Sequence, residues 1–303
     1  MLVARGETSV GSGSLRWAIL LGPQFRMSIV QRRGLVFDTR FVPASTQAAN
    51  ANPCLYLLVD GTWRTSTGLS FSSPQALVVS GTHLDGADGM RPLTYRAAGD
   101  PFCMMELHFS SNVTSLRPEM APTPISLDRA AWEVATSVAE CSRGDDDRLL
   151  SQTASLLATL ARLSLVSPEL AESVLRPMPA RFQLLWKAIG PIVERLDLRP
   201  TVKELSAVTG GTPREVDRNV RAFVSSFGFL GGSWREGSRY WRLKLAIVFL
   251  SAEGASIADV ARAVGYGSTD AMARAFRDAR IPPPNVVKER IASAAVDARA
   301  ATS

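Results

Sequence analysis

The chain has 303 residues, 46% hydrophobic and 20% charged, which excludes an intrinsically disordered protein and leaves material for about two packed domains. Lys and Arg outnumber Asp and Glu by 34 to 28, yet the surplus is local, because residues 176 to 290 hold 19 basic against 11 acidic residues. Polyanion binding, if the chain does it, belongs to that C-terminal third.

Near the N-terminus, Arg5 and Arg16 precede a short apolar run from Trp17 to Leu21. The run is too short for a signal segment and no small-residue cleavage site follows it. No stretch approaches the roughly 18 apolar residues that cross a membrane, so a cytoplasmic protein with no membrane partner is expected. Cys54, Cys103 and Cys141 are scattered and odd in number. They exclude a disulfide scaffold or a cysteine-based zinc motif, suit a reducing compartment, and read as buried small hydrophobes.

Between residues 15 and 115, Ser28 to Val36, Cys54 to Val59, Gln75 to Val79 and Cys103 to Phe109 are short β-branched and aromatic runs. Gly34, Asp60-Gly61 and Asp85-Gly86 punctuate them as turn positions. The spacing predicts an antiparallel β barrel or sandwich. Trp17, Tyr56, Trp63, His83 and Tyr95 could line a pocket, although aromatic residues inside a barrel mostly form core.

Glu106 and His108 would share one strand face. With His83 as the other histidine of the chain, they complete no metal first shell, so no metal is expected. A P-loop, a Rossmann glycine signature and a nucleophile elbow are all absent from the sequence, so neither a cofactor nor enzymatic activity is expected.

A proline-rich break from Arg117-Pro118 to Pro124 ends the β region, and helical periodicity follows over Leu127 to Ala139 and Asp147 to Leu165. Leu149, Leu150, Leu156, Leu157, Leu160 and Leu163 form a broad stripe on the second helix. It suits either packing against the β region or a dimer seam. Ser167-Pro168 and Arg176 to Pro179 punctuate the chain again, and residues 167 to 180 read as a linker. The expected division is a β-rich sensor over 1–125, a helical dimerisation or linker region over 126–180, and an all-α unit over 181–303.

Two helix-turn-helix patterns lie in that last unit. Thr201 to Phe227 opens with a Thr201/Glu204 capping box, buries Val202, Leu205 and Val208, turns at Gly210-Gly211, and restarts at Thr212-Pro213. Its second helix turns Val216, Val220 and Phe223 inward and Arg214, Asp217, Arg218 and Arg221 outward. The other pattern, Ser256 to Lys288, has Ser256 as cap, Ile257, Val260, Ala261 and Val264 inward, and Gly265 at the turn. Ser268 or Thr269 caps its second helix, with Met272 and Phe276 inward and Thr269, Asp270, Ala273, Arg274 and Arg277 outward. Small polar residues at that start would let it enter a major groove. Between the two, Arg239 to Glu253 is apolar enough to be a buried connecting helix.

Gly265-Tyr266, Ser268, Met272-Ala273-Arg274-Ala275-Phe276-Arg277 and Ile281-Pro282-Pro283 together resemble the signature of the AraC/XylS family of transcription regulators, and Arg242-Leu243 with Ala246 matches its linker. The likeness covers about residues 183 to 290. It departs at Gly211, where an aromatic is common, at the loose FLGGSWREGS stretch, and at Arg280, where glycine commonly precedes the tail.

By that resemblance, Arg214, Asp217, Arg218, Thr269, Asp270, Ala273 and Arg274 fall at base-reading positions, and Arg221, Ser268 and Arg277 at phosphate contacts. Asp270 could accept from cytosine N4 or merely stabilise a helix dipole. The resemblance also implies a cupin-like barrel as sensor, a small-molecule effector, a homodimer, and contact with RNA polymerase by an activator bound to double-stranded DNA. The alternatives are an architectural nucleic-acid-binding protein without an effector and, further off, a cupin-type metalloenzyme.

Overall fold

A computed structural model describes residues 1–41, 53–65, 70–80, 95–109, 123–195, 197–198, 200–227, 229 and 233–300. Among these, nine strands form one curled antiparallel sheet in the order β1-β2-β3-β8-β5-β7-β9, with β4 paired to β8 and β6 to β5. The strands are β1 (Leu2–Val10), β2 (Gly13–Gly22), β3 (Phe25–Arg33), β4 (Phe37–Asp38), β5 (Pro53–Thr65), β6 (Ser70–Ser72), β7 (Gln75–Ser80), β8 (Tyr95–Phe109) and β9 (Pro124–Ser126). Ten helices follow, so the expected α+β architecture of an antiparallel β body followed by helices is what the chain adopts.

The sheet begins at Leu2, earlier than the sequence suggests: β1 buries only Ala4 and Val10, and β2 hides its alternation. Trp17, Ile19 and Leu21 enter one apolar core while Ala18 and Leu20 enter another, and a strand buried on both faces reads as a continuous apolar run. Asp60-Gly61, expected as a turn, lies inside β5, where the register against β8 slips on either side of Asp60. Gly61 still uses its freedom, at φ 98°, to form a bulge that bends the long strand. His83, Asp85-Gly86 and most of the Pro118 break fall outside the described residues.

The first core covers one sheet face with α1 (Arg129–Cys141), α2 (Asp146–Arg162) and α3 (Pro168–Ser173). Asp128 and Asp145 cap α1 and α2 through their side chains. Leu149, Leu156, Leu157 and Leu160 of the leucine stripe are fully buried here. The stripe is therefore core against the sheet. The expected linker also contains structure: Ser167-Pro168 starts α3, with Pro at the first helical position, and Leu170 and Val174 are buried.

The second core lies on the opposite face and joins the sheet to α4 (Ala180–Glu194), α5 (Val202–Thr209), α6 (Pro213–Phe227), α7 (Trp234–Phe249), α8 (Ile257–Ala263), α9 (Thr269–Asp278) and α10 (Pro284–Ala300). Trp17, Tyr56 and Trp63, the sequence's pocket candidates, are buried in it. Trp63 packs edge-on against Tyr56 and Phe71 at centroid distances of 4.8 and 5.6 Å. All three are part of the core.

Two polar seams fix the helices to the sheet. Trp17 Nε1 donates to the Val193 carbonyl at 2.8 Å, and Trp186 Nε1 to the Val3 carbonyl at 3.4 Å, locking α4 over β1 and β2. At the other end of the β1–β2 hairpin, Ser12 donates through its backbone N–H and its hydroxyl to the Glu253 carbonyl at 3.0 and 3.1 Å. Nearby, the Val36 N–H donates to the Ser251 hydroxyl at 2.8 Å. The turn between α7 and α8 thus sits directly on Gly11, which has φ 57°.

A Cβ at Gly11 would lie 2.4 Å from the Glu253 carbonyl oxygen, whereas Gly254, at φ 74°, faces open space. In urea denaturation, Gly254→Ala should therefore cost about 1–2 kcal/mol, the price of a left-handed alanine. Gly11→Ala should cost more than that because of the backbone clash. Equal losses would show that the hairpin does not carry the turn.

Candidate nucleic-acid interface

Both helix-turn-helix patterns fold as such, and local side-chain chemistry is the reason. In the first, Thr201 Oγ1 accepts from the Glu204 N–H at 3.2 Å while Glu204 Oε2 accepts from the Thr201 N–H at 2.6 Å. This reciprocal box satisfies two backbone donors that the start of α5 leaves without helical partners. Gly210 ends α5 at φ 69°. A second box follows at once, in which Thr212 Oγ1 accepts from the Glu215 N–H at 3.3 Å and Glu215 Oε2 accepts from the Thr212 N–H at 2.8 Å. Pro213 then opens α6.

In the second unit, Ser256 Oγ accepts from the Asp259 N–H at 3.0 Å. Gly265 takes φ 74° at the turn, and Ser268 Oγ accepts from the Ala271 N–H at 3.1 Å to cap α9. Of the two candidates, Ser268 is the cap.

The inward faces carry the units into the shared core. Val216, Val220, Phe223 and Phe227 of α6 and Met272 and Phe276 of α9 are buried. Phe223 contacts Phe182 at 5.7 Å and stacks on Trp186 at 6.0 Å, centroid to centroid. Val208 is a correction to the sequence reading, since it is 56% exposed. At 3.6 residues per turn the inward stripe of α5 runs through Val202, Leu205, Ser206 and Thr209, leaving Val208 on its flank.

Outward, Arg214, Arg218 and Arg221 on α6 are exposed, as are Ser268, Thr269, Asp270, Arg274 and Arg277 on α9, while Asp217 and Ala273 are half-buried. Asp217 pairs with Arg221 at 2.7 Å, one turn apart, so a residue expected to read bases holds one expected to touch phosphate. Asp270 lies in the first turn of α9, where its charge favours the helix dipole. Arg218 also lines a groove of about 290 Å³ with Arg181, Leu184, Gly210 and Glu215, between α4 and the first turn.

The connecting helix α7 starts at Trp234, earlier than the Arg239 expected, because Ser233 caps it and Trp234 Nε1 donates to the Pro200 carbonyl at 3.0 Å. The WREGS part of the stretch read as loose is therefore helical. Leu243, Leu245, Ala246, Ile247, Val248 and Phe249 of α7 are buried. Arg239 reaches α9, donating to the Ala275 carbonyl at 3.3 Å. Arg280 adopts φ 57°, so the residue standing where the family shows glycine holds a left-handed conformation.

A separate polar cluster lies on the sheet face that meets these helices. The Cys54, Glu106 and His108 side chains converge, with Cys54 Sγ 3.4 Å from His108 Nε2 and Glu106 Oε1 against the same nitrogen. Arg26 donates to Glu106 Oε1 at 2.8 Å, and its guanidinium lies 4.5 Å over the Phe229 ring. Burial alone would raise the Glu106 carboxyl, but His108 and Arg26 outweigh it and hold the group below the ordinary carboxylate range. Burial and the Glu106 charge push the Cys54 thiol well up, and burial together with Arg26 lowers His108. The sequence linked Glu106 to His108; it gave no sign that Cys54 joins them.

No family model matches the chain, and no curated protein matches it. Among solved structures, ToxT from Vibrio cholerae is similar at 8% identity, covering 87% of this chain and 98% of that one with a TM-score of 0.38. ToxT bound to an unsaturated fatty acid is similar at 8% identity, covering 88% and 95%, with a TM-score of 0.36. The AraC-like transcriptional activator CuxR follows at 13% identity, covering 83% and 86%, with a TM-score of 0.28. Likenesses this distant leave the functional assignment to the chain's own residues. Among the described residues, no helix is long and apolar enough to cross a membrane.

Replacing Arg280 by glycine relieves a left-handed side chain and should raise stability by about 1 kcal/mol, seen as a higher thermal midpoint. The two capping boxes should also make stability depend on pH. Backbone and hydroxyl bonds from Thr201 and Thr212 hold Glu204 and Glu215 below the ordinary carboxylate range. Their contribution is present above the unfolded value, about 4.3, and is lost as pH falls through and below it. The double variant Glu204→Gln, Glu215→Gln should show a shallower fall of the thermal midpoint than the parent between about pH 6 and about pH 3.

Proposed function

We propose that the chain is a sequence-specific DNA-binding transcription regulator that reads double-stranded DNA with α6 and α9. One observation carries the reading: two helices, each capped at its first turn and each with an exposed polar or arginine face, stand on one core within residues 176 to 290, where basic residues outnumber acidic ones by 19 to 11. An exposed arginine on a helix that enters the major groove can donate two bonds to guanine O6 and N7. The motif likeness over residues 183 to 290 supports the same reading.

Arg214, Asp217, Arg218, Thr269, Asp270, Ala273 and Arg274 are the base-facing positions of this reader, and Arg221, Ser268 and Arg277 its backbone contacts. Residues 181–303 hold the reader. Residues 1–125 form the sensor, and 126–180 its helical buttress, through which an effector or a second copy of the chain acts on an activator in the cytoplasm.

Selection from a random DNA pool, followed by titration on the selected site and on bulk DNA, tests the proposal. A preference of about a thousandfold or more is expected for a specific reader. Arg218→Ala and Arg274→Ala should each cost about 1–3 kcal/mol on the selected site and much less on random DNA. Asp270→Asn should change base preference at one position if it accepts from cytosine. Equal losses on selected and random DNA would identify an architectural binder that uses its arginines without reading bases.

A further inference from the structure

We propose that Cys54, Glu106 and His108 bind one thiophilic divalent transition-metal ion, best matched by zinc, on the sheet face that meets the helical region. The sheet register builds the site. Cys54 on β5 is directly opposite His108 on β8, and Glu106 lies two residues along β8 on the same face, opposite Tyr56. Arg26 on β3 is opposite His108 from the other side, so four polar side chains from three neighbouring strands meet inside a largely apolar core.

The three side chains bring their ligand atoms to one point. The ligand atoms of Cys54, Glu106 and His108 all lie within 4.8 Å of one another, and the same ring nitrogen faces both the thiol sulfur and the carboxylate oxygen. An imidazole nitrogen has a single in-plane site, either an N–H or a lone pair. If it donates to Glu106, it cannot accept from the Cys54 thiol. If it accepts from the thiol, it leaves the buried carboxylate without that donor. Tyr56 and Arg26 give Cys54 and Glu106 further hydrogen-bond partners, but neither lets this one nitrogen serve the sulfur and the carboxylate together, as a shared cation does.

The geometry and ligand types agree with zinc. Bond lengths of about 2.3 Å to sulfur and about 2.0–2.1 Å to nitrogen, at the tetrahedral angle, place the two ligand atoms about 3.6 Å apart. Here Cys54 Sγ and His108 Nε2 are 3.4 Å apart. The Glu106 carboxylate must back away from Nε2 to admit the ion, a movement within reach of its side-chain torsions. Arg26 then orients the ligating carboxylate from outside, as hydrogen-bonding groups around metal ligands do. On binding, a sulfur–metal bond replaces the sulfur–hydrogen bond, and the thiol proton leaves to solvent. Three protein ligands leave the fourth position for water.

The test uses the full chain, stripped with a chelator and titrated with cobalt(II) as a spectroscopic stand-in for zinc. One equivalent per chain should give a thiolate-to-cobalt charge-transfer band with tetrahedral ligand-field bands, all removed by one equivalent of zinc. Zinc should also raise the thermal midpoint of the unsubstituted chain. Cys54→Ser should abolish the charge-transfer band, and His108→Gln should weaken binding on the order of tenfold or more. Cys103→Ser, on the opposite sheet face, should change neither, and circular dichroism establishes that each variant is folded. Absence of the band in the unsubstituted chain, or its persistence in folded Cys54→Ser, would overturn the site in favour of a hydrogen-bonded core triad. No DNA enters the measurement, so its outcome is independent of the proposed regulator.

Discussion

The structure depends on one packing constraint: β2 is buried on both faces. One side of β2 sends Leu15, Trp17, Ile19 and Leu21 into the core shared with the helical region, and the other sends Ala18 and Leu20 against the leucine helix. Each fully buried large side chain contributes about 1.5–3 kcal/mol of transfer free energy. The hairpin therefore binds two helical layers to one sheet with more than any surface contact could supply. The indole N–H groups of Trp17 and Trp186 add direction to this adhesion, since a buried donor must find an acceptor. They find carbonyls across the seam, on Val193 and Val3.

What could be read from the sequence was local, and what could not was distant. The capping boxes at Thr201 and Thr212 join residues three apart. The left-handed turns at Gly210 and Gly265 need only one residue's freedom. Such signals survive in a one-dimensional reading, so both helix-turn-helix units and most outward residues were legible. β2 was hard to read because burial on two faces erases the alternation that marks a strand, and β1 because only Ala4 and Val10 of its nine residues are buried. Val208 was misplaced because an eight-residue helix offers too few positions to fix the centre of its apolar stripe. Cys54 meets His108 across 54 residues, through a strand register that no local pattern encodes.

The candidate interface is electrostatically mixed, and the mixture has order. Arginines crowd the exposed faces of α6 and α9, but carboxylates stand among them at Asp217 and Asp270. Asp217 restrains Arg221 one turn away, which narrows the directions that guanidinium samples before it meets a partner. An exposed pair of this kind adds little to stability. Its use is conformational, since a side chain already confined loses less freedom when it is finally held.

The docking of the α7–α8 turn on the β1–β2 hairpin has a consequence for the DNA that this chain would accept. Both helix-turn-helix units share one core, and the sheet holds α4 at one end and the α7–α8 turn at the other. The angle between α6 and α9 is therefore set by packed side chains, not by a flexible tether. B-DNA repeats every 10–10.5 base pairs or so, so one inserted pair turns the second half-site by roughly a tenth of a revolution. A reader clamped in this way tracks helical phase as closely as base identity, and adjusting to a mis-spaced site would mean prying an apolar core apart.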